Sequence, residues 1–489
     1  MKIELESQND IWMDNAIVNF CELTSAIGAA VFKTPSKITI DVPDSDKFAE
    51  ELSQEILRRT VPNLIVDDED RKTKAKKQVK KDHILIQENK KIGGEVSLKE
   101  KIYDKNESRE ILVDILESLE GDSKRCVFCG RYFKKNVKNL QQASYPFVTK
   151  IKSLSGVRGL SEYFKDYCPL CYLIGVLEWL DGSMIYRTFP ADKSYLFLPM
   201  MNDLASLNEF KQYYVDLLGT DRYSNIKNPP MDGPEYTPGK CSTLLYFYEK
   251  FFEKISGDGD VCSECSKWGV IEIPLSGSVK NPKLNTINIP DHIMGLVRSM
   301  VKNDYAPYTG FIRNTNLLKL EGGVDFDQTR IFREKISETI INDDFGSFSR
   351  RFLPRKKKRI IMRKEAYEVL EELLWQWKCK PMVIKKEDLD TIKSVSNIVA
   401  AITKKNVGLL YKLDKARNSK EFWSVMREIS RKLVGKDKND MIKSKIKLTS
   451  LDNLVQLVKT NEDDWKEVRD LLIIYSSMYY SIRTLKQGE

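Results

Sequence analysis

A chain of 489 residues is longer than a single hydrophobic core serves, so roughly two to four domains are expected. With 41% apolar and 10% aromatic residues it has the composition of a folded protein, which excludes a disordered or low-complexity chain. Lys and Arg outnumber Asp and Glu by 80 to 71, and the resulting net charge of +9 is informative where it clusters.

The opening "MKIELESQND" is polar and acidic, unlike a signal peptide, and the most apolar stretches, "LLIIY" and "CYLIGVLEWL", fall short of a membrane span. A cytoplasmic protein without membrane contact is therefore expected, with its thiols reduced. Ala16, Phe20, Leu23 and Ile27 recur at helical spacing behind a cap at Asp14 or Asn15, with Gly28 as the stop. "KITIDVP" (37–43) alternates like a strand. The segment 67–83, "DDEDRKTKAKKQVKKDH", has almost nothing to bury and reads as a solvated loop or helix face, or as a flexible basic arm.

Short strand-like runs occupy the middle of the chain: "MIYRTFP", "SYLFLPMM" and "GVIEIPLSG". Between them, the polar stretch 219–240 carries Asn225, Lys227 and Asn228, side chains able to bond base edges. From about residue 363 the pattern is helical. One stripe is Leu389, Ile392, Val395, Val399 and Ile402. A second is Phe422, Met426, Ile429 and Leu433, capped by Asn418 and closed by Gly435. A third is Trp465, Val468, Leu472, Tyr475, Tyr479 and Ile482. The expected fold class is α+β: a mixed N-terminal region (1–120), a zinc-knuckle-containing region (121–362) and an all-α C-terminal helical bundle (363–489).

Six of the nine cysteines fall in CxxC pairs: Cys126/Cys129, Cys168/Cys171 and Cys262/Cys265. A zinc knuckle needs a tight turn that aims two thiolates at one metal, and Gly130 directly after Cys129 suits it; two knuckles complete a closed structural Zn²⁺ site. No βαβ pattern flanks the pairs, which argues against a redox motif. Loop entropy mildly favours joining Cys126 and Cys129 to Cys168 and Cys171. Cys262 and Cys265 either replace one of these pairs or bind a second metal with Cys241 and His292. Cys21 and Cys379 lie on apolar helix faces and read as core. Lys124, Arg125, Arg131, Lys134 and Lys135 are placed to offset the thiolate charge.

Only two histidines occur, His83 and His292, and no phosphate loop, dinucleotide fingerprint, nucleophile elbow or HExxH motif is present, so nothing supports catalysis. The basic run "RRFLPRKKKRIIMRK" (350–364) contains no acid. Beside the plain reading of a solvated helix start stands phosphate contact by Arg355, Lys356, Lys357, Lys358, Arg359, Arg363 and Lys364.

These segments together resemble a known family: the large subunits of type I CRISPR effector complexes (Cascade), in the type I-B-like branch named for paired CxxC motifs. The resemblance rests on "IWMDNAIVNF" (11–20), "CVFCG", "DYCPLCYLIGVLEW" (166–179) and the helical C-terminal third. It implies a non-catalytic protein that contributes to PAM recognition, duplex opening and R-loop stabilisation. The implied partners are CRISPR RNA, target double-stranded DNA, the backbone and other Cascade subunits, and a recruited helicase-nuclease. It places the zinc ligands at Cys126, Cys129, Cys168 and Cys171, leaves the third pair as a departure, and assigns no PAM-reading residue. It also implies that residues 363–489 form a small-subunit-like unit, for which Met362 and Met382 are possible internal translation starts. From the residues alone, a zinc-containing RNA-binding or ribosome-associated protein, or a hydrolase with an unrecognised site, fits as well.

Overall fold

A computed structural model describes residues 1–69, 76–80, 102, 107–119, 121–134, 144–145, 167–189, 194–214, 237–258, 264–273, 283–319, 322–355, 358–379, 386–403, 407–434, 449–460 and 464–485. The fold is α+β, with small antiparallel sheets, a four-cysteine cluster in the middle of the chain and a helical C-terminal region. The chain forms two compact units that are interleaved in sequence. Residues 1–236 and 260–288 make the first, 237–259 and 289–489 the second. None of the described helices is long and apolar enough to cross a membrane.

The first unit is built around helix α1 (Ile11–Ala26). Its cap is Asp10, one turn before the expected position, because Asp10 Oδ1 accepts from the backbone N–H groups of Trp12 and Met13 at 3.0 and 2.9 Å. Asp14 instead ties down the preceding loop, accepting from Gln8 N and Ser7 Oγ. Gly28 does end the helix. Its N–H reaches Ser25 O and that of Ala29 reaches Thr24 O, which satisfies the last carbonyls. Burial extends beyond the expected stripe to Trp12, Ile17 and Val18, since packing surrounds the helix.

Strands β1 (Lys2–Glu6), β2 (Ala30–Lys33) and β3 (Lys37–Asp41) form a sheet in the order β1-β3-β2. In β3 the alternation is as expected, with Ile38 and Ile40 buried. Helix α2 (Ser45–Leu64) leads into β4 (Ile65–Glu69), which pairs antiparallel with β5 (Lys76–Lys80). The described part of the charged segment is therefore an antiparallel strand pair and not only a loop or arm, with positions 68 and 69 in register with 77 and 76. Helix α3 (Ser108–Glu117) follows, then the short ribbon of β6 (Lys124–Arg125) and β7 (Tyr132–Phe133), and helix α4 (Pro169–Leu177), which continues into a 3₁₀ turn at Glu178–Leu180. The strand-like runs of the middle third become β8 (Ile185–Thr188), β9 (Ser194–Pro199) and β10 (Lys267–Ile273). With β11 (Lys283–Asn288) they form an antiparallel meander, and helix α5 (Leu204–Tyr214) follows β9 in sequence.

The second unit takes helix α6 (Lys240–Asp258) out of the middle of the sequence. It packs against α7 (Asp291–Lys302), α8 (Phe326–Ile341) and a π-helical turn at Pro307–Ile312. Helix α9 (Phe345–Arg351) brings Phe345 and Phe348 against Trp377, which lies in the π-helical turn after α10 (Lys364–Leu374). The helical core thus reaches N-terminal of residue 363. Strands β12 (Thr315–Lys319) and β13 (Lys358–Met362) pair antiparallel. Helices α11 (Lys386–Thr403), α12 (Gly408–Lys415), α13 (Ser419–Val434), α14 (Thr449–Thr460) and α15 (Trp465–Leu485) complete the unit.

The first two stripes are buried as expected, and Asn418 caps α13 by accepting from Glu421 N at 2.8 Å; Gly435 lies outside the described residues. The third stripe departs from an amphipathic pattern. α15 is covered on every side from Leu471 to Met478, while Ile482 at its end is 47% exposed. A helix that α9, α11, α12 and α13 all pack against has no solvent face to spare for polar residues.

Candidate functional site

The first knuckle is a ribbon closed upon itself. Cys126 N donates to Arg131 O at 2.8 Å and Gly130 N to Cys126 O at 3.0 Å. Gly130 adopts φ +68°, the left-handed conformation that the turn requires and that glycine takes without penalty. The second knuckle starts a helix. Cys168 is the N-cap of α4, its sulfur accepting from Cys171 N at 3.4 Å, and Pro169 occupies the first helical position. The positive end of the helix therefore faces the sulfurs. A glycine at 175 lets α4 settle against the backbone, because a Cβ there would stand 2.0 Å from Ser144 O. The same carbonyl accepts from Trp12 Nε1 at 2.8 Å, so α1, α4 and the segment at Ser144 are locked together.

This brings together the four cysteines for which zinc ligation is expected. Cys126 Sγ lies 3.8 Å from Cys171 Sγ and Cys129 Sγ lies 3.7 Å from Cys168 Sγ, and all four sulfurs are within 4.8 Å of one another. A tetrahedral centre with metal–sulfur bonds of about 2.3 Å separates its sulfurs by about 3.8 Å. Cys126, Cys168 and Cys171 are buried in the core of the first unit and Cys129 is partly exposed. Backbone N–H groups point at the sulfurs, Cys168 N reaching Cys126 Sγ at 3.3 Å. Hydrogen bonds from Cys129, Cys168 and Cys171 hold the Cys126 thiol below the usual range, whereas the bond with Cys126 and burial push Cys168 and Cys171 above it. Four sulfurs this close cannot all ionise alone, and a metal ion is what lets them.

Two of the basic residues around the knuckle are bonded within the first unit. Arg125 Nε donates to Gly130 O at 3.0 Å, and Arg131 donates to Glu4 O at 2.6 Å, which ties the ribbon to β1. These two arginines bond carbonyls, while the hydrogen bonds found on the sulfurs come from the backbone and from one another. Lys135 lies outside the described residues.

Cys265 does not join a metal site among the described residues. Its thiol donates to Lys267 O at 3.0 Å, and burial pushes it up to about 12. Cys241 is buried beside Glu334, which accepts from Cys241 N and Ser242 N and so caps α6, and burial raises that thiol well above its usual range. His292 Nε2 contacts Asp343 Oδ2 at 2.9 Å. Cys262, His83, Asn225, Lys227, Asn228 and Met382 lie outside the described residues. Cys21 and Cys379 are core, as expected.

The basic run spans the end of α9, strand β13 and, at Arg363 and Lys364, the start of α10. Arg355 is exposed, and Lys356 and Lys357 fall outside the described residues. Lys358 opens β13 and pairs with Asp325 at 3.0 Å. Arg359 lies over the Tyr480 ring, 5.2 Å from its centroid, and bonds Thr484 Oγ1. Pleating puts Arg359, Ile361 and Arg363 on one face. Arg363 is exposed, and Lys364, its side chain 85% exposed, makes only a 3.5 Å pair with Glu368. Of the seven expected phosphate contacts, Arg355, Arg363 and Lys364 present their charge to solvent, and Lys358 and Arg359 are engaged within the unit.

A buried ionic cluster was not anticipated. Lys211 of α5 is 1% exposed and sits 2.5 Å from Asp181 Oδ2, 3.8 Å from Glu178 Oε1 and 3.3 Å from Asn15 O. Burial acts against both charges, yet Lys211 holds Asp181 below the usual carboxyl range and the two acids hold Lys211 above its own. Burial pushes Glu178 well above the usual range; Lys211 partly opposes this, and Asp181 and Glu22 add to it. Within the cluster, Glu178 is therefore the carboxyl whose proton burial favours. The signal was present in the sequence, since Leu204, Leu207 and Lys211 share one face of α5 at helical spacing.

Glu178→Gln should test that proton directly. A folded-state pKa raised above the unfolded value means that the native chain holds a proton the unfolded chain releases, so stability declines as pH rises from about 4.3 toward the folded value. The variant is expected to match the parent near pH 4 and to exceed it increasingly toward neutrality in thermal melts. Parallel curves across that range would show that Glu178 ionises in the native state as it does in the unfolded one.

A search against protein-family models finds no match for this chain, and a search of curated proteins finds none either.

Proposed function

We propose that the chain is a non-catalytic large subunit of a type I CRISPR RNA-guided surveillance complex, and that its four cysteines hold a structural Zn²⁺. The observation carrying this reading is the convergence of "CVFCG" and "DYCPLCYLIGVLEW", the two segments on which the resemblance rests, at one four-sulfur centre. All-sulfur tetrahedral sets suit zinc better than hard cations, and a closed set leaves no open position for catalysis. The helical C-terminal region and the exposed cations flanking β13, Arg355, Arg363 and Lys364, support contact with the guide–target hybrid or the displaced strand. Its partners in this reading are CRISPR RNA, target duplex, the backbone and other Cascade subunits, and a helicase-nuclease.

Affinity purification of the tagged chain from its native cells should recover a guide RNA of repeat-derived sequence together with repeating backbone subunits. Their absence from a stably purified chain would overturn the reading. Neutralising Arg355, Arg363 and Lys364 together should weaken binding to all DNA sequences alike and flatten the salt dependence by about 0.7–0.9 log–log units for each lost contact. An unchanged slope would remove these three residues from the interface.

A further inference from the structure

We propose that the β6–β7 ribbon carrying the first knuckle is a stacking platform for an unpaired base of single-stranded nucleic acid, with Tyr132 as the ring that receives it. The inference rests on the nucleic-acid reading above and adds to it a second contact, in the first unit. Arg125 and Tyr132 are cross-strand partners, so they share one face of the ribbon. Tyr132 is 55% exposed although its neighbour Phe133 is wholly buried, and Val127 in the turn is 43% exposed. Arg125 shares the ring's face and is exposed, and Lys124 and Lys134, nearby in sequence, are exposed as well, with Asp122 an exposed acid in the same stretch.

The strand that carries the ring is also held in place before any ligand arrives. The bond from Cys126 N to Arg131 O closes the ribbon, Arg125 lies across the turn on Gly130 O, and Arg131 is moored on Glu4 O. A short, stapled strand leaves Tyr132 little conformational freedom to lose on binding, the economy that makes fixed aromatic side chains effective contacts. An exposed aromatic face amid cations is the combination that single strands require: the ring takes a base, and the ammonium and guanidinium groups take the backbone. Duplex reading would need a row of side chains laid along base edges in a groove, and a ribbon of two residues per strand is too short to supply it. The cationic rim likewise disfavours an apolar protein surface as the occupant.

The test uses the full-length, metal-loaded chain and fluorescence polarisation with labelled single-stranded DNA, single-stranded RNA and a matching duplex. Tyr132→Ala should weaken single-strand binding by about 5- to 150-fold, the range of one base–aromatic stack, and Tyr132→Phe should restore it. The salt slope should be unchanged by either, which separates stacking from the phosphate contacts of Arg355, Arg363 and Lys364. Comparison of the DNA and RNA arms identifies which strand the platform prefers. Tyr132→Leu, which keeps an apolar strand residue but no ring, should behave like the alanine variant and guards against a folding defect, as do metal content and melting temperature. Undiminished binding by both the alanine and leucine variants would overturn the platform while leaving the nucleic-acid reading intact, as would a parent chain that binds duplex only. A parent chain that binds no nucleic acid would overturn both.

Discussion

Cys129→Ser should reduce bound metal from about one equivalent per chain to a small fraction and unfold the first unit. Structural zinc contributes about 10–16 kcal/mol of apparent binding energy in small fingers, comparable with the whole stability of about 5–15 kcal/mol of an ordinary domain. Here three of the four cysteines lie inside the same core as α1 and the β1–β3 sheet, and Cys129 packs against it, so their loss is not confined to a surface loop. Elemental analysis would report the metal, and near-ultraviolet circular dichroism, to which Trp12 and Trp179 packed 4.8 Å apart contribute, would report the packing. The second unit should keep its own melting transition. Zinc-free parent protein with an unaltered melt would show that the cluster is held by packing alone.

A second large effect is expected at the buried cluster. Lys211→Met removes the cation between Asp181 and Glu178 and leaves Asp181 buried without its partner, a change that costs about 3–5 kcal/mol. For a unit of this size, that lowers the melting temperature by roughly 10 °C. Pairing it with Asp181→Asn should restore much of the loss, because a neutral, hydrogen-bonded amide no longer carries an orphan charge. Full stability of the single variant would mean that water reaches Asp181 and that the pair is not sealed. Failure of the double variant to recover would place the effect in the packing of the lysine stem instead.

What could be read beforehand was local. A CxxC followed by glycine encodes its own turn, and Gly130 is found in the conformation that this demands. Stripes at helical spacing located α11 and α13, because each repeats over several turns. Pairing between distant knuckles was less accessible: loop entropy ranks the alternatives only weakly, and what joins Cys126 and Cys129 to Cys168 and Cys171 is the packing of α4 against Ser144 and Trp12. The cap of α1 was displaced by a turn because Asp10 and Asp14 both precede apolar residues, and only the fold shows which carboxylate meets the open N–H groups. The basic run was legible as charge but not as a strand, since its partner β12 is remote in sequence and two of its cations are engaged by Asp325 and Tyr480. Tyr132 drew no attention because a single aromatic residue gains meaning only when its neighbour Phe133 is known to point inward.

The interleaving of the two units also bears on how the protein is made. Helix α6, with Tyr246, Phe247, Tyr248, Phe251 and Phe252 on its faces, leaves the ribosome ahead of every helix that will cover it. At synthesis rates of about 5–20 residues per second, its aromatic surface waits on the order of ten seconds for α8. During that interval the chain must also return to add β10 and β11 to the first unit. The nascent protein is therefore most exposed to misassociation midway through translation, and a pause placed just after α6 would prolong that exposure, whereas one placed after α8 would not.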